Sequence, residues 1–168
     1  MSNIRLLPFQ STWYQEFEQT KSLLLWAAEG WIVDARHIGA TRLEASIAQP
    51  IVDVIAGMTD MRGLNDACSL VEGLNYRRVE SPRWCDDELV AKLCKPRDGN
   101  LTHSLLIVRL GSKTWKRVEA IQNRLESHFV DAQRLQNVKL DAARQSVEEY
   151  NHQKKLFFQE LELGLDTA

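Results

Sequence analysis

The sequence predicts an α+β fold, in which a mixed β-sheet is followed by a helical C-terminal part. Runs of β-branched residues bounded by turn signals occur within the first 110 residues, as expected for strands. A Gly-Ala-Thr turn at residues 39–41 and a polar connection join two of these runs. From residue 112 onward, apolar residues instead recur at helical spacing. We therefore expect helices on one face of the sheet and a C-terminal helical bundle that closes over it.

Length and composition limit the possible classes of protein. The 168 residues suit one domain, with residues 1–110 as its sheet-containing core and residues 111–165 as its C-terminal helices. A formal net charge of −2 gives no general attraction to nucleic acid or to an anionic membrane. No apolar run approaches the roughly 20 residues that span a bilayer, and the N-terminus lacks the apolar core of a signal peptide. We therefore expect a cytoplasmic protein, whose composition does not indicate an oligomeric state.

The three cysteines describe neither a disulfide framework nor a zinc site. Cys68, Cys85 and Cys94 are odd in number and lack a C-x-x-C spacing. Free cysteine behaves in proteins as a small hydrophobic residue and is usually buried. We expect three reduced, buried thiols.

The N-terminal third begins with a short strand at residues 4–8, followed by a helix. Thr12 to Gln15 has the pattern of a capping box at the start of this helix. Its apolar residues fall on one helix face: Trp13, Phe17, Leu24 and Ala28. Gly30 ends the helix, and residues 31–38 form the strand that leads into the glycine turn.

The middle of the chain alternates strands with one further helix. Residues 50–58 form a strand, and Thr59 or Asp60 can cap the helix after it. The apolar face of that helix is Met61, Leu64, Cys68, Val71 and Leu74. Three more strands are expected at residues 76–81, 88–95 and 101–110, with a turn at 97–100 before the last.

Three helices are expected in the C-terminal part. The apolar face of the first is Trp115, Val118, Ile121, Leu125 and Phe129. That of the second is Ala132, Leu135, Val138 and Ala142. The third places Val147, Tyr150, Lys154, Phe157, Leu161 and Leu165 at heptad-like spacing. These faces are long enough to form core against the sheet.

Asp53 is the residue that most needs an explanation, because it interrupts a β-branched strand. A buried charge is costly unless another group pairs with it. One interpretation is a metal ligand, since Mg²⁺ prefers hard oxygen ligands and is usually bound by one or two carboxylates plus phosphate oxygens. The other is a structural anchor that accepts hydrogen bonds from the glycine turn or pairs with an arginine. The residues alone leave both interpretations open.

Two further groups of residues are candidates for binding. The backbone N–H groups of Gly39, Ala40 and Thr41 could form a phosphate cradle, and the alternative is an ordinary turn. Basic residues also cluster around the middle strands: Arg77, Arg78, Arg83, Lys92, Lys95 and Arg97. They could line a cleft for an anion, although solvated strand edges are the more common explanation. Trp84 could stack a base there, but a position wedged under the sheet is the favoured alternative.

The order of strand, glycine turn, connection and strand with a carboxylate resembles the nucleotidyltransferase superfamily. It resembles more closely the GrpB family of small bacterial proteins, whose pattern is His-Ile-Gly-Ser-Thr-x-Val-Pro-Gly-Leu-Ala-x-Lys-Pro-Ile-Ile-Asp. The chain matches that pattern at His37, Ile38, Gly39, Thr41, Pro50, Ile51 and Asp53. It departs at Ala40 for the serine, at Glu44 and Ala45 for Pro-Gly, and at Gln49 for the lysine. Tyr150-x-x-x-Lys154-x-x-Phe157 also resembles the family, while Gln122-Asn123 replaces its Arg-Asp dipeptide.

The resemblance implies a nucleotidyltransferase-like fold that binds a nucleotide or another phosphorylated small molecule, with Mg²⁺, and transfers a nucleotidyl group. Asp53 would then be the catalytic metal ligand. The phosphate would be held by Gly39, Ala40 and Thr41, with His37 and His103 in support.

The alternative is a catalytically inactive descendant that serves as a binding or scaffolding module. Many active superfamily members carry a second acid two residues after the first, where this chain has Ile55. Glu80, Asp86, Asp87 and Glu88 are the acids on or near later strands. Ala40, Gln49 and Gln122 also replace more polar or charged residues, which favours this alternative.

Overall fold

The computed structural model describes residues 4–44, 46–85 and 89–166. The helices are α1 (Thr12–Ala27), α2 (Leu64–Glu72), α3 (Lys113–Ser127), α4 (Phe129–Ala143) and α5 (Val147–Asp166). The strands are β1 (Leu7–Pro8), β2 (Ile32–Ile38), β3 (Ile47–Ala48), β4 (Val52–Met58), β5 (Arg77–Val79), β6 (Ala91–Lys95) and β7 (His103–Arg109). The expectations for Ala45, Asp86, Asp87 and Glu88, and for the side chains of Phe129, Leu161 and Leu165, fall outside what is described.

The main sheet is mixed, as the sequence predicted. Its strand order is β2-β4-β7-β6-β5, and β4 pairs with β7 in parallel while the other neighbours are antiparallel. The short strands β1 and β3 form a separate antiparallel pair, with Leu7 opposite Ala48. This pair holds the connection after the glycine turn against the N-terminal segment, so β4 enters the sheet beside the end of β2.

The strand β4 separates two environments because its side chains alternate between the faces of the sheet. Val52, Val54, Ala56 and Met58 are buried in the larger hydrophobic core. Asp53, Ile55 and Gly57 lie on the opposite face, where Ile55 packs against Trp115 of α3. The carboxylate of Asp53 therefore does not point into the larger core.

The larger core forms between the sheet and the helices α1 and α2. The predicted faces of both helices contribute to it, with Trp13, Phe17 and Leu24 buried on α1 and Cys68 and Val71 on α2. The three cysteines are free and buried, as predicted. Within the described ranges, no helix combines the length and apolar character that crossing a membrane requires.

The predicted capping box at the start of α1 is wrong. The N-cap is Ser11, whose backbone is already helical (φ −61°, ψ −25°), and its side chain makes no capping hydrogen bond. The first N–H groups are satisfied by a preceding turn instead, since Trp13 donates to the Gln10 carbonyl at 3.1 Å and Tyr14 to that of Ser11 at 3.1 Å. The predicted cap at Asp60 is present, because its side chain accepts from the backbone N–H of Arg62 at 3.1 Å.

Helices cover both faces of the sheet rather than one. Trp115 of α3 packs with Ile55 and Val108 on the face opposite α1 and α2. A third cluster joins the C-terminal helices to the segment after the glycine turn through Leu43, Leu125, Leu135 and Phe157. The C-terminal helices are thus fixed to the sheet at two places.

We predict that Phe157→Ala lowers the free energy of unfolding by about 3–5 kcal/mol, because the lost ring leaves a cavity in this third cluster. Phe157 is 4% exposed, and the guanidinium of Arg134 lies 5.4 Å from its ring centroid. Leu156→Ala is the matched control on the same helix, since Leu156 is 42% exposed and should cost below about 1 kcal/mol. Urea unfolding of both variants gives the comparison, and equal losses would contradict the burial of this helix face.

Candidate functional site

The glycine turn lies directly against Asp53. Ile38, the last residue of β2, pairs with Asp53 of β4. Gly39 follows with φ 78° and ψ −169° and begins a 3₁₀ turn at Ala40–Arg42. A Cβ atom on Gly39 would lie 2.6 Å from Oδ2 of Asp53. Glycine is needed here for its positive φ and for this close approach.

The backbone of Gly39 is bound by a side chain from α3. Its N–H donates to Oε1 of Gln122 at 2.8 Å, and Nε2 of Gln122 donates back to the Gly39 carbonyl at 3.4 Å. The amide that was expected to cradle phosphate is therefore already hydrogen-bonded. Gln122 connects the turn to the C-terminal helices. In the family that the sequence resembles, this position is an arginine.

Asp53 lies in an unusual environment for a carboxylate. Burial raises the pKa of its carboxyl group. The positive charges of Lys154, Lys92 and Lys139 act in the opposite direction and lower that pKa. Among the described residues, no group donates a hydrogen bond to Asp53 and no arginine lies within ion-pair distance, so neither contact expected of a structural anchor is present.

Asp53 faces a cavity of about 640 Å³ between the sheet and the C-terminal helices. The sheet side of the cavity follows from the strand register. Asp53 pairs with Ser104 of β7, and Ser104 pairs with Cys94 of β6, so all three lie on one face of the sheet. The described lining includes five cationic side chains: Lys92, Arg117, Lys139, Lys154 and Lys155. Asp53 is the only carboxylate among these described lining residues, so they carry an excess of basic side chains.

Burial and these charges shift the pKa values of two residues on the C-terminal helices, Lys139 of α4 and Tyr150 of α5. Burial, together with the charge of Lys154, lowers the pKa of Lys139 to about 7, while Asp53 raises it. Burial and the charge of Asp53 raise the pKa of Tyr150 to about 12. The amine of Lys154 lies 5.9 Å from the ring centroid of Tyr150. Both members of the Tyr150-x-x-x-Lys154 motif thus line the cavity.

The histidines predicted to support the site lie on the other face of the sheet. His37 is adjacent in sequence to the cavity-lining Ile38, and His103 is adjacent to Ser104, so strand alternation turns both histidines away from Asp53. Nε2 of His37 is 2.7 Å from the hydroxyl of Thr41. His37 also stacks on the ring of Phe17 at 5.0 Å. Neither histidine is part of the described lining of the cavity.

The rest of the Gly-Ala-Thr turn also reaches the cavity, but its hydroxyl group is already engaged. Ala40 and Thr41 both line the cavity. Thr41 is 1% exposed, however, and its hydroxyl is engaged by His37. The Gly39 amide is bound by Gln122, so one of the three backbone N–H groups predicted to bind phosphate is used within the fold.

The cationic residues of the cavity are mostly not those predicted. Of the six basic residues near the middle strands, only Lys92 is part of the described lining. Arg78 donates to Asn65 at 2.8 Å, and Arg97 donates to the Tyr76 carbonyl at 3.2 Å. The other cations come from α3, α4 and α5, and only the Tyr150-x-x-x-Lys154 resemblance indicated one of them.

Trp84 is not wedged under the sheet. It is 47% exposed and lines the rim of the cavity. The guanidinium of Arg117 lies 5.1 Å from the ring centroid of Trp84. The ring therefore remains accessible to a ligand in the cavity.

The described residues do not fit a magnesium centre. Among them, no three His, Cys, Asp or Glu side chains are grouped so that they could hold a metal ion. The position two residues after Asp53 is Ile55, which is buried with Trp115 in an apolar cluster. Glu80 is exposed and is not part of the described lining. A single carboxylate among lysines is a poor donor set for a hard divalent cation.

A family model and one solved structure agree with this architecture. A family model described as "GrpB protein" matches residues 3–163. The solved structure of the conserved protein GrpB from Enterococcus faecalis is similar, with a TM-score of 0.81 and 20% identity over 95% of this chain and 96% of that one. A cytoplasmic RNA terminal U-transferase aligns with a TM-score of 0.46 and 10% identity over 80% of this chain and 44% of that one. No curated protein sequence matches.

We predict that acidification destabilises the fold through the buried His37 and the partly buried His103. Burial lowers the pKa of His37 from 6.5 to about 4, and it also lowers that of His103 to about 4. The unfolded chain therefore binds more protons between these values, so stability falls as pH drops from about 6.5 to about 4. The lowered pKa of His37 accounts for about 3 kcal/mol of this loss in the free energy of unfolding.

Urea unfolding of the wild type and of His37→Gln across this pH range measures the effect. At pH 7.5 the free energies of unfolding of the two proteins should differ only by the effect of the altered packing. The difference between the two proteins should shrink on acidification, because only the wild type then loses stability through His37. A constant difference from pH 7.5 to pH 4 would contradict the prediction.

Proposed function

The chain belongs to the GrpB family, and we propose that it binds a phosphorylated small molecule, with a nucleotide as the first candidate. The observation that carries the proposal is the cavity between the sheet and the C-terminal helices, whose described lining holds five cationic side chains and one carboxylate. Its volume of about 640 Å³ lies within the usual range of small-molecule sites.

The phosphate group would be bound mainly by lysines. A lysine ammonium binds phosphate as a compact point charge with three donors. Lys92 extends from the sheet, while Lys154 and Lys155 extend from α5, so these cations surround the cavity from two sides. A direct phosphate contact with the amide of Gly39 would require Gln122 to release it.

The remainder of the ligand would lie against apolar side chains. Ile121, Leu135 and Phe158 line the helical side of the cavity, and Leu106 lines the sheet. Trp84 at the rim offers an aromatic face on which a base can stack. A molecule with one phosphate-bearing end and one planar or apolar end matches this distribution.

Binding without nucleotidyl transfer is the form of the proposal that the site supports best. Ile55 fills the place of a second acid, and Gln122 occupies the turn amide. Magnesium-dependent transfer of a nucleotidyl group remains the alternative, with Asp53 as the carboxylate that would hold the metal.

We predict that phosphorylated ligands stabilise the protein thermally and that Lys154→Met weakens this effect. At about 100 times its Kd a ligand adds about 2.7 kcal/mol to stability, which for this size of protein raises Tm by about 2–4 °C per kcal/mol. A panel of nucleotides and sugar phosphates is melted with and without Mg²⁺. Lys116→Met is the matched control, because Lys116 is exposed on α3 outside the described lining. A flat panel for the wild type would refute the proposal.

The substitution Asp53→Asn separates the two forms of the proposal. If the cavity binds the anion directly, removing the carboxylate charge reduces repulsion and strengthens binding, with or without Mg²⁺. If Asp53 holds a metal, the substitution abolishes the Mg²⁺-dependent part of the Tm shift, because an amide lacks the charge that binds a hard cation. The ligand-free variant should be close to wild type in stability, since no described residue donates a hydrogen bond to Asp53.

A further inference from the structure

We propose that Lys139 is a nucleophilic amine, and that the cavity takes phosphorylated aldehydes or ketones whose carbonyl carbon forms an imine with it. This inference rests on the proposed function, because the phosphate of the ligand would be held by the other cations of the cavity. It narrows the ligand class from any phosphorylated molecule to one that also bears an aldehyde or ketone group, so a phosphorylated aldehyde or ketone replaces a nucleotide as the first candidate.

The position of Lys139 is unusual for a lysine. It belongs to α4, is 2% exposed, and lines the cavity opposite the sheet. Fully buried lysines are rare unless they are paired. In the described part of the chain, no carboxylate lies within ion-pair distance of Lys139 and no acceptor is hydrogen-bonded to it. Its amine is therefore enclosed in the cavity without a structural partner that would explain its burial.

The chemical state of this amine suits nucleophilic attack. Only the unprotonated form of a lysine carries the lone pair that attacks a carbonyl. Burial and the neighbouring charge of Lys154 lower the pKa of Lys139 to about 7, so a large fraction is neutral at physiological pH. Desolvation and an adjacent cation are the two devices by which proteins activate lysine for imine formation.

The surrounding residues can supply the proton transfers that imine formation needs. The lone pair of Nζ attacks the carbonyl carbon, and a proton moves from nitrogen to the former carbonyl oxygen to give a carbinolamine. Loss of that hydroxyl as water, with one added proton, forms the C=N bond and releases the remaining N–H proton, so no oxidant or reductant is involved. Asp53, Lys139 and Tyr150 line the same cavity, and the charge of Asp53 acts on both other groups. Because the carboxyl group of Asp53 faces the same cavity, it can exchange that proton.

Reductive trapping on the full chain tests the inference. The protein is incubated at pH 7 with glyceraldehyde 3-phosphate and sodium cyanoborohydride, which converts an imine to a stable secondary amine, and the adducts are located by peptide mass spectrometry. Modification of Lys139 should exceed that of the exposed Lys116 by at least about tenfold. Glycerol 3-phosphate, which has no carbonyl, should compete, and unphosphorylated glyceraldehyde should label Lys139 much less.

The pH profile supplies a second readout that a merely structural lysine would not give. Labelling of Lys139 should rise through pH 7 and level off above it, because its amine is then neutral. In the Lys139→Met protein the selective adduct should disappear, while Tm at pH 7 should rise because a buried amine has been removed.

The outcomes separate this inference from the proposed function. If glycerol 3-phosphate stabilises the protein but Lys139 stays unmodified, the imine is refuted and phosphate binding stands. If Lys139 is labelled equally by glyceraldehyde and its phosphate, and neither glycerol 3-phosphate nor any nucleotide raises Tm, both proposals are refuted. Selective, phosphate-dependent labelling of Lys139 supports both.

Discussion

The contact between Gly39 and Asp53 is the feature that fixes the arrangement of the site. A Cβ at position 39 would lie 2.6 Å from Oδ2 of Asp53, so only glycine lets the end of β2 approach the start of β4 this closely. Gln122 then binds both backbone polar groups of Gly39 and so ties α3 to the same point. The sheet, the turn and the C-terminal helices thus meet beside one carboxylate, and the cavity forms where they diverge.

The charge distribution of this cavity lowers the stability of the protein when no ligand is bound. Like charges repel, and a buried lysine loses hydration, which is why the pKa of Lys139 falls to about 7. Asp53 compensates only in part, since it is the one carboxylate in the described lining, against four cations besides Lys139. Proteins commonly retain such costs at binding sites, where a ligand of opposite charge removes them. The same imbalance argues against Mg²⁺ as the natural occupant of the described residues.

The two faces of the sheet are covered in different ways. One is closed by α1 and α2 over an apolar core that includes Val52 and Val54, and His37 is enclosed on this side with its ring stacked on Phe17. The other is covered only in part, by Trp115 near Ile55 and by the C-terminal helices farther along. Residues adjacent in sequence therefore differ completely in environment, as His103 and the cavity-lining Ser104 do.

Local signals in the sequence were enough to predict the element types, the α+β class and the apolar faces of α1 and α2, because hydrophobic periodicity does not depend on long-range contacts. The His37–Asp53 pattern was enough to predict the family, because it lies within one short segment. It also indicated the juxtaposition of the glycine turn and Asp53. The identity of the groups that face the cavity became clear only from the folded chain. Lys139 is distant from Asp53 in the sequence, and no local pattern distinguishes it from an ordinary helix residue. The family resemblance singled out Gln122 but did not indicate that this side chain binds Gly39. The approach of both residues depends on how α3, α4 and α5 pack, which is set by long-range contacts such as those of Leu43 with Leu125 and Phe157.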